Sequence, residues 1–320
     1  MLHGKWVIID EVSLLPIDTL GQIARWQMVG AKFVLFGDFE GQFEAFIDRW
    51  KEVSYADVPQ SQLLMDMCTR THFHMEVYRR GDDQVLYDWY TRLYTEPDRD
   101  IARLVSDTRR RYPLRITPME AHTILCISHA KRMIINARQN TAFAAVHEAN
   151  GLHTRHIEWK GEAIKGTTCQ PQSMTIWEGI HLIGCPRGSG KAKLGVVQGV
   201  MYNVEHIAED TVTLKMLPEY RSSENAPADA TETAGNTAGE TADAAVDKDV
   251  SIAKEEVTVP LDDVTHVLRL SHAMCFYTVQ GRTFRDHTVL IDTSHTHVSR
   301  RALIVGLSRA TNGRLVHVAT

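Results

Sequence analysis

Val7, Ile8 and Ile9 run without a polar break into Asp10 and Glu11, and this join of a short apolar run to two adjacent carboxylates constrains the chain more than any other stretch. An uninterrupted apolar run of this length has the form of a parallel strand buried on both faces. The carboxyl end of such a strand opens on the crevice where α/β sheets bind ligands. Two carboxylates there suit Mg²⁺ and a water-activating base, whereas the plain structural role for an Asp-Glu pair is to cap the next helix. A helix-length segment separates this run from a second one, Lys32 to Phe36, which ends in Gly37-Asp38 with Gln42 four residues past the aspartate. Strand, helix, strand with polar groups at both strand ends is a βαβ unit, so the fold class is α/β.

A second α/β region follows. Thr123 to Ile127 reads as a strand and His129 to Ala145 as a helix with apolar residues at helical intervals. Near the C-terminus, Val289 to Asp292 and Leu315 to Ala319 read as strands flanking a helix from about Val298 to Ser308. Between these halves lies β character, in Ser173 to Leu182, Gly195 to Ile207, Thr211 to Leu217 and Val257 to Leu261. It is interrupted by a tract from about Ser222 to Glu256, rich in Ala, Thr, Glu, Asp and Gly. Such a composition buries too little apolar surface to offset its ordering entropy, so the sequence predicts a disordered loop.

Composition narrows the function classes. The hydrophobic and charged fractions, 43% and 23%, are those of an ordinary soluble protein. No stretch approaches the roughly eighteen consecutive apolar residues of a membrane span, and Met1 leads almost at once into a strand, so the expectation is an intracellular protein with no membrane partner. Five scattered cysteines, Cys68, Cys126, Cys169, Cys185 and Cys275, form no C-x-x-C pair and read as reduced, mostly core thiols. Two H-x-H pairs, His72/His74 and His295/His297, lack the partners that would complete a metal site. The net charge of −5 is local: from Glu219 to Glu256 ten acids face only Arg221, Lys248 and Lys254, so the rest of the chain is slightly basic and compatible with a phosphate backbone.

Four motifs then stand in order: WVIIDEVS at Trp6 to Ser13, FVLFGDFEGQF at Phe33 to Phe43, VQGRTF at Val279 to Phe284, and IVGLSRAT at Ile304 to Thr311. They resemble the Walker B, third, fifth and sixth motifs of superfamily 1 helicases, and look most similar to the RecD/Pif-like branch, which consists of ATP-driven DNA helicases moving 5′ to 3′ on single strands. The resemblance implies two RecA-like P-loop NTPase motor domains, with a small β-barrel inserted in the second. It implies that Asp10 holds Mg²⁺, that Glu11 positions and deprotonates the attacking water, and that Gln42 senses the γ-phosphate. Gln280 and Gly281 of the fifth motif belong to the nucleotide site, and Arg309 matches the arginine finger. Met75 to Asp82 resembles the fourth motif, which offers Arg79 for the γ-phosphate with Arg80 as alternate. The fifth motif departs from pattern: Cys275-Phe276-Tyr277-Thr278-Val279 stands where relatives carry a Thr-x-His-Lys-Ser type run.

The family's first domain opens with a G-x-x-x-x-G-K-[ST] loop far upstream of Walker B, yet only nine residues precede Asp10. Gly184 to Ala192 imitates that loop but is one residue too long between its glycines and has Ala192 in place of the hydroxyl that binds Mg²⁺. The expectation is therefore the Walker B to C-terminal portion of a helicase, with an upstream segment or partner chain supplying the phosphate loop. Its domains are residues 1–118 as a partial first RecA-like domain, 119–156 with 262–320 as the second, and 157–261 as the barrel. The implied function is ATP-dependent unwinding of DNA, with ATP and Mg²⁺ as cofactors and single-stranded DNA or a duplex junction as partner, as in replication or repair. The alternatives are an inactive helicase-derived binding or scaffold module and a viral-type RNA helicase.

Overall fold

The structure, a computed structural model, describes residues 3–43, 55–68, 73, 81–96, 100–162, 164, 170–186, 194–218 and 255–320. It divides into two compact units, the first formed by residues 1–132 and 273–320 and the second by 133–272. The elements of the first unit's N-terminal part are β1 (Trp6–Ile9), α1 (Ile17–Met28), β2 (Lys32–Leu35), α2 (Gln62–Met67), α3 (Gln84–Arg92), α4 (Ile101–Arg111) and β3 (Thr123–Cys126). Helix α5 (His129–Ala149) leads into the second unit, which holds β4 (Arg155–Ile157), β5 (Met174–Ile176), β6 (His181–Gly184), β7 (Met201–Ile207), β8 (Thr211–Met216), β9 (Glu256–Pro260), α6 (Leu261–Val267) and β10 (Leu268–Leu270). The chain then returns to the first unit with β11 (Ala273–Cys275), β12 (Val289–Asp292), α7 (Arg300–Ser308) and β13 (Val316–Ala319).

The first unit contains two parallel sheets. Strands β1 and β2 pair in register from Trp6 with Lys32 to Ile9 with Leu35, and α1 between them makes the expected βαβ crossover. The buried side is a cluster of Val12, Leu20, Ala31, Phe33, Val58, Leu64 and Met67, against which Val7 and Ile9 pack. The other side corrects the sequence reading of β1 as fully buried: Trp6 is 63% and Ile8 68% exposed. Apolarity marks a strand but not the number of layers over it, and a two-stranded ladder leaves the outward positions to solvent and to the Lys32 ammonium 5.5 Å from the Trp6 ring. The other sheet has the order β11-β3-β12-β13, every ladder parallel. Its inner strands β3 and β12 are buried at all four positions.

Helix starts follow from local chemistry. Asp83 caps α3 by accepting from Leu86 N at 2.9 Å, and Ser299 caps α7 by accepting from Ala302 N at 3.2 Å. Gly306 lies inside α7 because a Cβ there would come within 2.9 Å of the Phe276 ring.

The second unit is a five-stranded antiparallel sheet in the order β10-β6-β7-β8-β9, beside a separate β4–β5 pair. In β8 and β9 alternate residues are buried, Val212, Leu214 and Met216 against Val257 and Val259, which is the period of a sheet with one apolar face. These join Tyr202, Val204, Leu182 and Ile176 in one core. His272 stacks on Phe143 at 5.3 Å, and burial pushes its imidazole down to about 4, so it packs neutral. The low-complexity tract falls almost wholly outside the described residues, but its end is corrected: Glu256 begins β9, paired with Lys215. Acidity misled there, because Glu256 occupies an outward position in an alternating strand.

Candidate functional site

The end of β1 turns sharply. Glu11 adopts a left-handed backbone at φ 55°, rare for a residue with a side chain, and its amide donates to Asp10 Oδ1 at 2.9 Å. Val12 N then donates to Phe36 O at 2.8 Å, which ties the Asp-Glu turn to the end of β2. Close approach explains Gly37: a Cβ there would lie 2.8 Å from Val12 Cγ1 and 3.0 Å from Ser13 N. Strain at the residue that carries the catalytic carboxylate by resemblance is the kind of outlier that accumulates at functional sites.

The third-motif loop is pinned to the same turn. Gln42 is only 6% exposed, and its Oε1 accepts from Ser13 Oγ at 3.2 Å. Asp38 holds the loop instead of facing a ligand: its carboxylate accepts from Gly41 N at 2.8 Å and from the Tyr94 hydroxyl at 2.7 Å. No Cβ fits at Gly41, where Tyr94 Oη would be 2.1 Å away. Arg300 donates to the carbonyls of Leu93 and Tyr94, and Arg301 Nη2 lies 3.5 Å from Phe39 O, so the start of α7 grips the N-terminal part of the unit. Ser13, Tyr94, Arg300 and Arg301 were not singled out from sequence. Only Ser13 carried a signal, its place in DEVS.

The fifth motif comes to meet Glu11. Cys275 ends β11, a short 3-10 turn spans Phe276–Val279, and Gly281 follows at φ 76°. A Cβ on Gly281 would lie 3.6 Å from Glu11 Oε1, so the carboxylate faces that loop. Both amide atoms of Gln280 are buried without a hydrogen-bond partner among the described residues. A buried amide left open in this way costs free energy, which a ligand can recover. Phe276, 2% exposed, is core, while Tyr277 is partly exposed near Phe43, with ring centroids 6.4 Å apart.

The sixth motif joins through backbone. Phe284 N donates to Arg309 O at 2.7 Å, so the two C-terminal motifs are tied by their backbones. Arg309 itself is 4% exposed, and its Nε and Nη2 donate to Ser308 Oγ at 3.2 and 2.8 Å. The structure thus joins the Asp10-Glu11 turn to Gln42 through Ser13 and sets it against the Gln280-Gly281 loop, while Arg309 is buried on Ser308. Arg79 and Arg80 lie outside the described residues, as do Cys169, His72, His74 and residues 187–193 of the loop that imitates a phosphate cradle. Gly184 of that imitation ends β6, where a Cβ would come within 2.1 Å of Val197 O; strand packing requires that glycine.

Adjacent hard-oxygen donors at Asp10 and Glu11, beside the open Gln280 amide, fit a hydrated Mg²⁺ carried by a nucleotide. Among the described residues no group of three or more histidine, cysteine or carboxylate side chains could hold a metal alone, so phosphate oxygens and water would complete its shell. No described helix is long and apolar enough to cross a membrane.

Comparison with known proteins bears on the fold. Residues 215–317 match the model of the viral superfamily 1 RNA helicase core domain. Across 98% of the chain the fold is that of Pif1 helicases. The Candida albicans Pif1 helicase superposes with a TM-score of 0.57 at 17% identity over 72% of its chain. Bacteroides Pif1 in complex with ADP-AlF3 and single-stranded DNA gives 0.57 at 18% over 70%, and Bacteroides Pif1 bound to single-stranded DNA gives 0.57 at 16% over 70%. No curated protein matches the chain. The chain therefore has the RecA-like α/β fold seen in Pif1 helicases, and its residues 215–317 resemble the superfamily 1 helicase core. Nothing in these comparisons supports a partner chain as the source of a phosphate loop.

Proposed function

We propose that this chain is the Walker B to sixth-motif part of an ATP-dependent DNA helicase that translocates 5′ to 3′ on a single strand and opens duplex ahead of it. The observation that carries the reading is the convergence of Glu11, on its strained turn, with Gly281 and the open Gln280 amide, two motifs 270 residues apart in sequence. Phosphoryl transfer to water needs a cation on the phosphates, a base that orients water, and positive charge on the transferring group. Asp10 would hold Mg²⁺, which neutralises phosphate charge and orients the leaving group when bound. Glu11 takes the water's proton, the Gln42 amide reports the γ-phosphate to Ser13 and hence to the strand end, and Arg309 and Arg79 supply positive charge. Gln280 and Gly281 close the site on the side of the larger sheet. In the division proposed, residues 1–118 belong to the first motor domain, 119–156 with 262–320 to the second, and 157–261 to an inserted β module.

The test is a titration of ATP turnover with single-stranded DNA. The 320-residue polypeptide should turn over ATP at background rates, because its sequence holds no G-x-x-x-x-G-K-[ST] run to cradle the β- and γ-phosphates. Joined to a strand bearing G-x-x-x-x-G-K-[ST], it should show DNA-stimulated turnover that Glu11→Gln lowers by about a thousandfold or more. Stimulated turnover that Glu11→Gln leaves intact would remove Glu11 from the site. The viral RNA helicase match over residues 215–317 favours a second reading, in which RNA is the strand. Stronger stimulation by RNA than by DNA of equal length would decide for it.

A further inference from the structure

Cys126 ends β3 and Cys275 ends β11, and the two are register partners in a parallel ladder. Such partners project from the same face, and adjacent strands lie about 4.8 Å apart, inside the Cα separation of about 4.4–6.8 Å at which a disulfide closes. Cys126 is fully buried and Cys275 is 2% exposed. His129 Nδ1, at the start of α5, lies 3.6 Å from Cys275 Sγ. Arg132, one turn further along α5, is 5% exposed, and its Nε and Nη2 have no hydrogen-bond partner among the described residues.

A buried guanidinium with open donors is stable only where negative charge lies close by. Asp292, buried on β12 and paired with Lys131, adds negative charge near the group. The two thiol sulfurs are a further source beside Arg132. The neighbouring Cys126 thiol, together with His129 and Arg132, holds the Cys275 thiol well below the ordinary thiol range, while the same proximity, burial and the nearby Cys275 and Asp292 charges push the Cys126 thiol up, its Sγ lying 3.7 Å from the Ser128 and Met274 carbonyls. One sulfur is thereby prepared as a nucleophile, and its neighbour keeps its proton.

We infer that Cys126 and Cys275 form an oxidisable dithiol, a modification site for small hydroperoxides, with Cys275 as the attacking sulfur and Cys126 as the resolving one. Cys275 sulfur attacks the terminal oxygen of the peroxide; the O–O bond breaks, and the leaving alkoxide takes up a proton to become the alcohol. The sulfenic acid left on Cys275 is attacked by Cys126 sulfur; the S–O bond breaks, and hydroxide leaves with the Cys126 proton as water. Two thiols lose two electrons and the peroxide gains them. The disulfide ties β11 to β3 one residue before the turn that delivers Gln280 and Gly281, which gives oxidation a route to the loop facing Glu11. The site stands on the larger sheet alone and does not depend on the helicase reading.

The experiment uses the reduced 320-residue protein and one equivalent of hydrogen peroxide, followed by trapping with N-ethylmaleimide, digestion and mass measurement. A linked peptide carrying Cys126 and Cys275, lighter by two hydrogens and released by dithiothreitol, is expected, formed roughly tenfold or more faster than oxidation of half-buried Cys68, whose thiol burial pushes up. Cys126→Ser should instead accumulate a dimedone-reactive sulfenic acid on Cys275. His129→Asn and Arg132→Gln should each move the rise of the linking rate to higher pH, a shift that a merely structural thiol pair would not show. Prior oxidation of Cys68, oxygen adducts on Cys275 without a link, or no reaction until the chain is unfolded would each overturn the inference. The wild-type measurement decides even if the serine variant fails to fold.

Discussion

In the β11-β3-β12-β13 sheet the two inner strands are buried at every position, whereas in the β1–β2 ladder Trp6 and Ile8 are exposed and only Val7 and Ile9 reach a core. Both sheets are parallel and both strand types read alike in sequence. The larger one is packed to the point that Gly306 of α7 has no room for a methyl group against Phe276 and Ile291. The smaller one spends its few contacts on a turn: Val12 bound to Phe36, Gly37 pressed on Val12, Ser13 bound to Gln42. One sheet supplies stability, and the other positions the carboxylates.

The largest effect expected from this division concerns Arg309, which follows the helix behind the larger sheet. In a chain with a phosphate loop restored, Arg309→Ala should lower turnover by about a thousandfold while nucleotide affinity changes much less, and lysine should rescue poorly because a point charge does not replace a planar fork. At 4% exposure the same substitution also costs stability, so turnover per folded molecule must be measured beside the melting temperature. Lost stability with normal turnover would place Arg309 wholly on the structural side.

Next come the strands themselves. Leu125→Ala, at a fully buried position of β3, should cost about 2–5 kcal/mol in urea denaturation, and Ile8→Ala, at a 68% exposed position of β1, within about 0.5 kcal/mol. Comparable losses at both sites would mean that the outer face of β1 is covered in solution, and the contrast between the sheets would fail.

What could be read from sequence divides along the same line. Val289–Asp292 coincides with β12, and α7 begins within two residues of its expected start, because a fully apolar strand and a capped apolar helix carry their signal locally. The exposure of Ile8 was illegible, since the layer over a strand is set by residues elsewhere in the chain. The pairs that build the site are likewise distant: Ser13 with Gln42 across 29 residues, Tyr94 with Asp38 across 56, Arg300 with Leu93 across 207. Composition also fails where a charged residue sits outward in a strand, as Glu256 does. Motif order singled out Asp10, Glu11, Gln42, Gln280, Gly281 and Arg309, but it could not tell that Arg309 would be buried on Ser308.

A smaller effect is expected at Gly37. Alanine there would set a methyl 2.8 Å from Val12 Cγ1 and 3.0 Å from the Ser13 amide, so the Asp-Glu turn must yield; about 1–3 kcal/mol should be lost, with faster hydrogen exchange at Val12 N–H as its bond to Phe36 opens. Unchanged exchange at Val12 would show that the turn is held by something other than this close approach.

The smallest effect tests whether the smaller sheet's turn passes a signal or merely packs. Ser13→Ala removes the donor to buried Gln42 Oε1 and should cost about 0.5–1.5 kcal/mol, the ordinary worth of such a bond. Gln42→Ala should cost a similar amount, and the double variant should recover about 1 kcal/mol relative to the sum, because each single change already breaks the shared bond. If the pair only packs, the coupling in DNA-stimulated turnover of the loop-restored chain will equal the coupling in stability. If Gln42 reports the γ-phosphate to the strand end through Ser13, the turnover coupling must exceed it, since the bond would then be remade at each cycle. A cycle that is additive in stability within about 0.3 kcal/mol would remove the contact from both roles.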